Sequence, residues 1–106
     1  MKAILIDPFA KSVMEVTLED RQEDEKTDNY KSQINELLDG PSAFGTTTYL
    51  GNELVTEYMA VYKHTQMFRL EGVPDPIAGK ALLWNWKTGE LTVDAFKLSE
   101  LVTWVE

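Results

Sequence analysis

The fold is decided by the stretch Phe44-Gly-Thr-Thr-Thr-Tyr-Leu-Gly-Asn-Glu-Leu-Val-Thr-Glu-Tyr-Met-Ala-Val61. Its two halves, Phe44 to Leu50 and Leu54 to Val61, are rich in threonine, tyrosine and valine, which are enriched in β-strands. Gly51-Asn52 lies between them, and both residue types tolerate the positive φ angles of a hairpin turn. The stretch therefore predicts two antiparallel strands joined by a tight turn.

Strand patterns continue on both sides of this hairpin. Lys2 to Ile6 is an apolar run that ends at Asp7-Pro8, since proline keeps the residue before it out of the helical region. Ser12 to Leu18 alternates between apolar and polar residues, and a short turn through Phe9 to Lys11 predicts a second hairpin. Further strands are predicted at Gln66 to Glu71, Lys80 to Trp86 and Leu91 to Val93, the last of them in a hairpin through Lys87-Thr-Gly89.

One principal helix is predicted, over about residues 28–39. Apolar residues recur there at the spacing of one helical face. Thr27 or Asp28 can serve as the N-cap, and Gly40-Pro41 ends the helix. The apolar face consists of Tyr30, Ile34, Leu37 and Leu38.

The end of the chain fits two structures. Leu98 to Val105 is compatible with a short helix capped at Ser99 or with a strand from Leu101 to Val105, and we favour a brief turn followed by the strand. Together the elements predict an α+β fold, in which one helix packs on a mostly antiparallel, twisted sheet of about six strands. A chain of 106 residues is expected to form one domain, residues 1–106.

The composition restricts the classes of function. Cysteine is absent, which excludes disulfides, thiolate catalysis and cysteine-based metal sites. Eighteen acidic side chains against ten basic ones give a net charge of -8, so direct binding to nucleic acid or to an anionic membrane is disfavoured. No apolar run approaches the roughly 18 residues of a membrane span, and we expect a cytoplasmic protein.

Acidic residues are concentrated in one segment before the helix. Residues 19–28 contain six acids, two bases and no apolar side chain, a composition that predicts a mobile loop outside the core. Such a loop has a strong negative potential, which suits a host protein with a basic surface. The simpler interpretation is a solvated loop that aids solubility. The candidate partner-binding residues are Glu19, Asp20, Glu23, Asp24, Glu25 and Asp28.

A second candidate site is the turn Glu71-Gly-Val-Pro-Asp-Pro-Ile-Ala-Gly-Lys80, which lies between two predicted strands. Two prolines fix the backbone on either side of Asp75, and Gly79 allows a positive φ immediately before a strand. The turn is either a preorganised binding loop or a rigid connection in which these residues serve geometry alone. The candidate binding residues are Pro74, Asp75, Pro76, Gly79 and Lys80.

The remaining candidates are one histidine and the tryptophans. His64 is the only histidine, which excludes a His-pair metal site, and we expect it in a turn at the surface. No serine has the spacing of a nucleophile elbow, so no catalytic residue, metal or cofactor is predicted. Trp84 and Trp86 should share one face of a strand, with Trp104 near them, either as core or as an exposed interaction surface.

Two segments resemble a known family. The opening Met1-Lys-Ala-Ile-Leu-Ile-Asp-Pro-Phe9 and the turn that ends in Pro74-Asp-Pro-Ile-Ala-Gly-Lys80 are similar to those of small proteins of unknown function from bacteriophages and other mobile elements. Members of that family begin with a similar strand and carry a similar Pro-x-Pro-x-Ala-Gly-Lys/Arg turn. The chain departs from the pattern in its acidic segment and its short C-terminal segment. The resemblance implies a genetic context but no established reaction.

We therefore expect a non-catalytic phage or mobile-element protein that acts by protein-protein binding. The leading hypothesis is an inhibitor of a host defence factor such as a nuclease, with the acidic loop facing a basic cleft. The alternative is a protein that binds or sequesters a nucleotide-like signal through Lys80, Arg69 and an aromatic residue. A third is an accessory structural protein. Unpaired edge strands are also compatible with a homodimer.

Overall fold

The computed structural model describes residues 1–19, 26–40, 43–64 and 66–105, with residues 26–29 described by their backbone alone. Within these ranges the chain forms eight strands, two α-helices and one short 3-10 helix. The strands are β1 Lys2–Asp7, β2 Ser12–Thr17, β3 Phe44–Tyr49, β4 Asn52–Glu57, β5 Met67–Leu70, β6 Ile77–Ala78, β7 Ala81–Trp84 and β8 Val102–Val105. The helices are α1 Lys26–Leu37, α2 Ala95–Leu101 and the 3-10 helix Ala60–Tyr62.

The described strands form two antiparallel sheets. The larger sheet has the order β2-β1-β7-β4-β3, and the smaller sheet has the order β6-β5-β8. All four residues of β7 are buried, as expected for a central strand that is covered on both faces. The predicted combination of antiparallel strands with a main helix is confirmed in outline. The single sheet is not, because β5 and β7, which flank the Gly-Pro turn, belong to different sheets.

The larger sheet is the middle one of three layers. Successive residues of a strand point to opposite faces, so Leu82 belongs to one core and its neighbour Leu83 to the other. Helix α1 covers the first face, and its residue Ile34 is buried in the core that contains Leu82. The smaller sheet and α2 cover the second face through Phe68 and Leu98. Burial of each large apolar side chain stabilises the fold by about 1.5–3 kcal/mol. Covering both faces of the sheet therefore stabilises the fold more than covering one.

Helix α1 presents the predicted apolar face. Ile34 and Leu38 are buried against the sheet, and Tyr30 and Leu37 are partly buried beside them. The spacing of these residues along the sequence therefore identified both the helix and the face that it buries.

The ends of α1 differ in detail from the prediction. The helix begins at Lys26, which places the predicted caps Thr27 and Asp28 within its first turn. At the other end Asp39 has a left-handed φ of 65°, and the N–H of Gly40 donates back to the last turn at 2.7 Å. This is a Schellman motif, in which the left-handed position is usually glycine. The helix ends at Leu37, two residues before its predicted end, and aspartate occupies the left-handed position.

The hairpin of β3 and β4 turns one residue earlier than predicted. Leu50 and Gly51 are its two loop residues, with φ angles of 51° and 79°, the combination of a type I′ turn. Asn52, predicted as a turn residue, is instead the buried first residue of β4. Pairing of Tyr49 with Asn52 closes the hairpin around the two loop residues.

Strand β4 is shorter than predicted. It ends at Glu57, and residues 58–61 form a turn and the start of the 3-10 helix. Met59 has a left-handed φ of 59°, which strand residues do not adopt. The apolar residues that suggested a longer strand are therefore placed in a loop.

The predicted hairpin through Leu91 to Val93 is wrong. This segment is irregular, and Thr92 bonds to the β3–β4 turn. Its N–H donates to the Asn52 amide oxygen at 3.2 Å, and its hydroxyl donates to the Leu50 carbonyl at 2.6 Å. Leu91 and Val93 pack against the core from this position, so their alternation reflects core packing without strand pairing.

Both structures considered for the chain end are present, in succession. Asp94 caps α2, its carboxylate accepting the N–H of Lys97 at 2.7 Å, and β8 follows the helix directly. Ser99, predicted as the cap, lies inside the helix and donates to the Phe96 carbonyl at 2.6 Å. The favoured brief turn is therefore a helix of two turns.

Candidate functional site

A buried carboxylate stands at the end of β4. The Glu57 side chain is only 7% exposed, and its two oxygens have different partners. His64 Nε2 lies 2.5 Å from Oε2, and Lys63 Nζ donates to Oε1 at 3.1 Å. Burial acts to raise the pKa of Glu57, but the bonds from His64 and Lys63 outweigh it, and the pKa lies below its ordinary value of 4.5. Because the carboxylate is ionised at neutral pH, His64 Nε2 carries the proton of their hydrogen bond.

The His64 ring rests on Gly79. A Cβ atom at position 79 would lie 2.8 Å from His64 Cδ2, closer than van der Waals contact allows, and Gly79 has a φ of 76°. The Phe9 ring packs against the imidazole in a T-shaped arrangement, with ring centroids 5.5 Å apart. The positive φ predicted for Gly79 is confirmed, and its tight contact explains why glycine is needed there.

His64 directly follows the turn that ends at Lys63, close to its predicted place, but it is partly buried rather than at the surface, and its partner was not foreseen. The imidazole is half-buried and held by Glu57, seven residues earlier in the chain. The 3-10 helix Ala60–Tyr62 lies between the two residues and turns the chain back toward the end of β4. Glu57 fell in the middle of the predicted strand Leu54 to Val61, so its sequence position gave no signal that it would pair with His64.

The loop between Glu57 and His64 exposes apolar side chains. We call residues 58–62 the apolar loop: Tyr58 is 62% exposed, Met59 52%, Val61 60% and Tyr62 79%. Ala60 alone is buried, and its carbonyl accepts the N–H groups of both Lys63 and His64. The backbone of the apolar loop is thus fixed although its large side chains face solvent.

Lys80 occupies a different environment from the one predicted. Its ammonium group lies 3.0 Å from Asp39, at the end of α1, and 3.8 Å from Asp7, at the end of β1. Asp75, with which it was predicted to form a binding loop, lies at an exposed bend between Pro74 and Pro76. The structure therefore brings Lys80 and Gly79 to the end of the larger sheet and leaves the Pro-Asp-Pro bend at the surface, without contact between Lys80 and Asp75.

The predicted acidic site is only partly within the described residues. Asp20, Glu23, Asp24 and Glu25 lie outside them, and Asp28 lies in α1. Glu19 is anchored through its backbone: its N–H donates to the Gln33 amide oxygen and its carbonyl accepts from the Gln33 amide nitrogen, both at 2.7 Å. The proposed role of this segment in partner binding stays a prediction.

A second carboxylate, at the start of β4, is held by two tryptophans. Trp84 Nε1 donates to Glu53 Oε1 at 3.1 Å, and Trp86 Nε1 donates to Oε2 at 2.9 Å. The two indoles therefore meet on one face, as predicted. Trp84 is core and contacts Tyr30 edge to face, whereas Trp86 is 52% exposed. Trp104, predicted near them, instead packs in the core on the other face of the sheet.

Trp86 forms one wall of a small cleft beside the β3–β4 turn. The cleft has a volume of about 110 Å³ and is lined by Thr48, Gly51, Asn52, Glu53, Asn85, Trp86 and Lys87. Lys87 Nζ lies 5.6 Å from the centre of the Trp86 ring. The cleft was not predicted, because it depends on the pairing of β4 with β7, which brings Glu53 opposite Trp84.

Comparison of the chain with protein-family models, with curated proteins and with solved structures gave no match. The resemblance to phage and mobile-element proteins therefore stays a prediction. The described residues include no group of three side chains placed to hold a metal ion. Among the helices that they form, none has the length and apolar character needed to cross a membrane.

Proposed function

We propose that this protein is a non-catalytic binding protein whose contact surface is centred on the apolar loop. The observation that carries the proposal is the exposure of four large apolar side chains within five consecutive residues, two of them tyrosines. Exposed apolar clusters on otherwise polar surfaces mark interaction sites, and tyrosine is enriched among residues that dominate interface energies. Because the backbone of the apolar loop is already fixed, binding costs little ordering entropy.

The backbone of Met59 supports a functional role for the apolar loop. A left-handed conformation costs a residue other than glycine or asparagine about 1–2 kcal/mol. Met59 adopts it with a φ of 59° while its side chain is half exposed. Glycine or asparagine would satisfy the backbone at lower cost, and in this proposal the methionine side chain serves contact with the partner.

The expected partner is a host protein with a basic surface, bound in the cytoplasm. The net charge of -8 favours such a partner and disfavours direct binding to nucleic acid. Host defence nucleases fit this description, since their nucleic-acid clefts are basic, and the resemblance to mobile-element proteins points to the same class. In this proposal the apolar loop supplies the contact energy and the acidic charge raises the rate of association.

The first test compares capture of host proteins by three forms of the chain. Intact protein should retain one or a few bacterial proteins that a Tyr58→Ser/Tyr62→Ser variant loses at least tenfold. The matched control is Phe96→Ser, which removes an equally exposed aromatic from α2. All three should unfold at similar temperatures, because the replaced side chains are at the surface. Equal retention by the double variant would contradict the proposal, as would the absence of any partner above background.

The second test addresses the host-defence partner directly. Expression of the intact chain in cells that carry a nuclease-based defence should raise the plating efficiency of a sensitive phage, and the Tyr58→Ser/Tyr62→Ser variant should not. Binding of the purified pair should weaken as salt increases, because charged groups steer the encounter. If the intact chain does not raise the plating efficiency in any nuclease-based defence tested, the partner is not a defence nuclease of these kinds, and only other basic host proteins remain in the proposal.

The nucleotide-binding alternative has less support from the geometry. The ammonium group of Lys80 is already paired with Asp7 and Asp39, and Arg69 lies on β5 of the smaller sheet, whereas Lys80 directly precedes β7 of the larger one. A ligand that binds the folded state raises its stability in proportion to the logarithm of its concentration. A panel of linear and cyclic nucleotides should therefore leave the unfolding temperature unchanged.

A further inference from the structure

The Glu53 carboxylate has hydrogen-bond donors but no cation. Both of its bonds come from neutral indole N–H groups. In the parts of the chain that the structure describes, every ion pair involves other residues. Neutral donors bring no positive charge to the carboxylate, and Glu53 lines a cleft.

The cleft has the size of a small cationic group. Its volume of about 110 Å³ is well below the roughly 300 Å³ at which pockets for drug-sized ligands begin. It is equivalent to three or four water molecules at about 30 Å³ each. This volume suits a guanidinium group with the end of its side chain better than a nucleotide.

The free lone pairs of Glu53 suit a two-point contact. An ionised carboxylate has about four acceptor positions, two on each oxygen. One position on each oxygen is taken by an indole N–H, which leaves one free on each. A guanidinium group presents two parallel N–H donors at the matching spacing, while an ammonium group acts as a single point charge.

Trp86 adds an aromatic surface beside the carboxylate. Planar guanidinium groups stack on indole rings, and the attraction is strongest for tryptophan. Lys87 already places its ammonium 5.6 Å from the ring centre, which shows that a cation can approach this ring. The same lysine would compete with an incoming cation, so its removal provides a direct test.

The floor of the cleft is preformed. Asn52 donates to the Thr92 hydroxyl at 2.8 Å and accepts from Asn85 at 3.3 Å. Asn85 in turn accepts the N–H of Thr88 at 3.1 Å. Because these amides bond to one another and to the adjoining turns, they hold the shape of the cleft and leave Glu53 and Trp86 to contact a ligand.

We infer that the cleft between Glu53 and Trp86 binds the guanidinium group of an arginine side chain. The identification of that arginine as part of a protein partner rests on the proposed function. The cleft would then bind one arginine on the basic surface of the partner. It lies at the opposite end of β4 from the apolar loop.

The test titrates the protein with N-acetyl-arginine amide, followed by the indole N–H signals of Trp84 and Trp86 in NMR spectra. Both signals should shift and saturate at millimolar concentration, and the neutral isostere N-acetyl-citrulline amide should cause no saturable shift. N-acetyl-lysine amide should bind at least threefold more weakly, because it makes a single-point contact. Equal responses to the arginine and citrulline compounds would overturn the inference.

Two variants locate the binding. Glu53→Gln should weaken arginine binding at least tenfold, and Lys87→Gln should strengthen it about two- to fivefold by removing the competing cation. An unchanged affinity in Glu53→Gln, with its fold verified by circular dichroism, would exclude the cleft as the arginine site.

The same variants separate this inference from the proposed function. If Glu53→Gln loses arginine binding but keeps the captured partner, the arginine is not supplied by that partner. Failure of the apolar-loop variants to lose the partner would refute the proposed function and leave this site intact.

Discussion

Glu53 and Glu57 lie on one strand and one face, four residues or about 13 Å apart, yet their surroundings are opposite. Glu57 is buried and paired with His64 and Lys63. Glu53 borders a cleft and is bound by two neutral indoles. Two carboxylates on one face of one strand therefore have different roles because their partners differ. Cationic partners engage Glu57 within the fold, and neutral partners leave Glu53 available to a ligand.

The two ends of β4 also differ in what they hold in place. At the Glu57 end, the bonds to His64 and Lys63 fix the residues that follow the apolar loop, and the imidazole closes over Gly79. At the Glu53 end, the bonds orient Trp86 without burying it. The first arrangement stabilises a backbone, and the second positions a side chain.

The largest expected effect is that of a substitution at Gly79, near the Glu57 end of β4. A matched control separates steric contact with His64 from backbone strain. Gly79→Ala should lower the free energy of unfolding by about 2–4 kcal/mol, because the new Cβ meets His64 and the left-handed φ is strained. Gly89→Ala is the matched control: its φ of 79° is close to the 76° of Gly79, but nothing lies within 4 Å of its Cβ position, so the loss should be about 1 kcal/mol. Urea unfolding measures both. Equal losses would show that the His64 contact contributes nothing.

The next effect compares the two carboxylates. Glu57→Gln should cost about 1–3 kcal/mol, since it gives His64 and Lys63 a weaker, uncharged acceptor at a buried position; the cost is limited because Lys63 is more than half exposed. Glu53→Gln should cost no more than about 1 kcal/mol, because its donors are neutral and glutamine still accepts one of them. Unfolding in urea measures both variants under the same conditions. A greater loss of unfolding free energy for Glu53→Gln than for Glu57→Gln would contradict the conclusion that Glu57 is the carboxylate that stabilises the fold.

The pH dependence of stability provides a third comparison. The pKa of Glu57 is lower in the folded state than its ordinary value of 4.5, so its contribution is present above that value. As the pH falls below about 4.5 and through the folded pKa, the unfolded state binds the additional proton and the contribution is lost. The difference in unfolding free energy between intact protein and Glu57→Gln should therefore shrink on acidification below pH 4.5. A difference that stays constant down to pH 3 would contradict this role for the carboxylate.

The smallest effect concerns strain at the two turns that flank β4. Leu50 and Met59 both have left-handed φ angles, 51° and 59°. Leu50→Asn and Met59→Asn should each raise stability by about 0.5–1 kcal/mol, because asparagine tolerates this conformation better. Thermal unfolding measures the gain. Only Met59→Asn should weaken capture of the partner, and equal weakening by Leu50→Asn would argue against a contact surface confined to the apolar loop.

Several parts of the fold could be predicted from local patterns. The helical spacing of Ile34 and Leu38 identified the buried face of α1, and the turn at Gly79 was located with its positive φ. Errors arose where a pattern had two explanations. The alternation of Leu91 and Val93 indicated a strand, but these residues pack into the core from an irregular segment that is bonded to the β3–β4 turn.

The candidate sites were harder to predict than the elements. Lys80 and Asp75 are neighbours along the chain, yet Lys80 pairs with Asp7 and Asp39, which arrive from β1 and α1. The apolar loop was assigned to a strand, because tyrosine and valine favour strands and the left-handed residue Met59 carries no sequence signal of its own.

The sequence by itself determined the antiparallel character of the strands, the face that α1 buries and the acidic balance of charge. These depend on the spacing of apolar residues within one element or on composition, which a linear chain displays directly. Only the tertiary structure decided that Glu57 meets His64, that Glu53 meets both indoles and that Tyr58 and Tyr62 face solvent. The Glu53 contacts depend on the register in which β4 pairs with β7, which lie about 30 residues apart in the chain, and local periodicity contains no information on that register. The Glu57 contact and the exposure of the tyrosines depend on the turn at Met59, which the sequence pattern did not indicate.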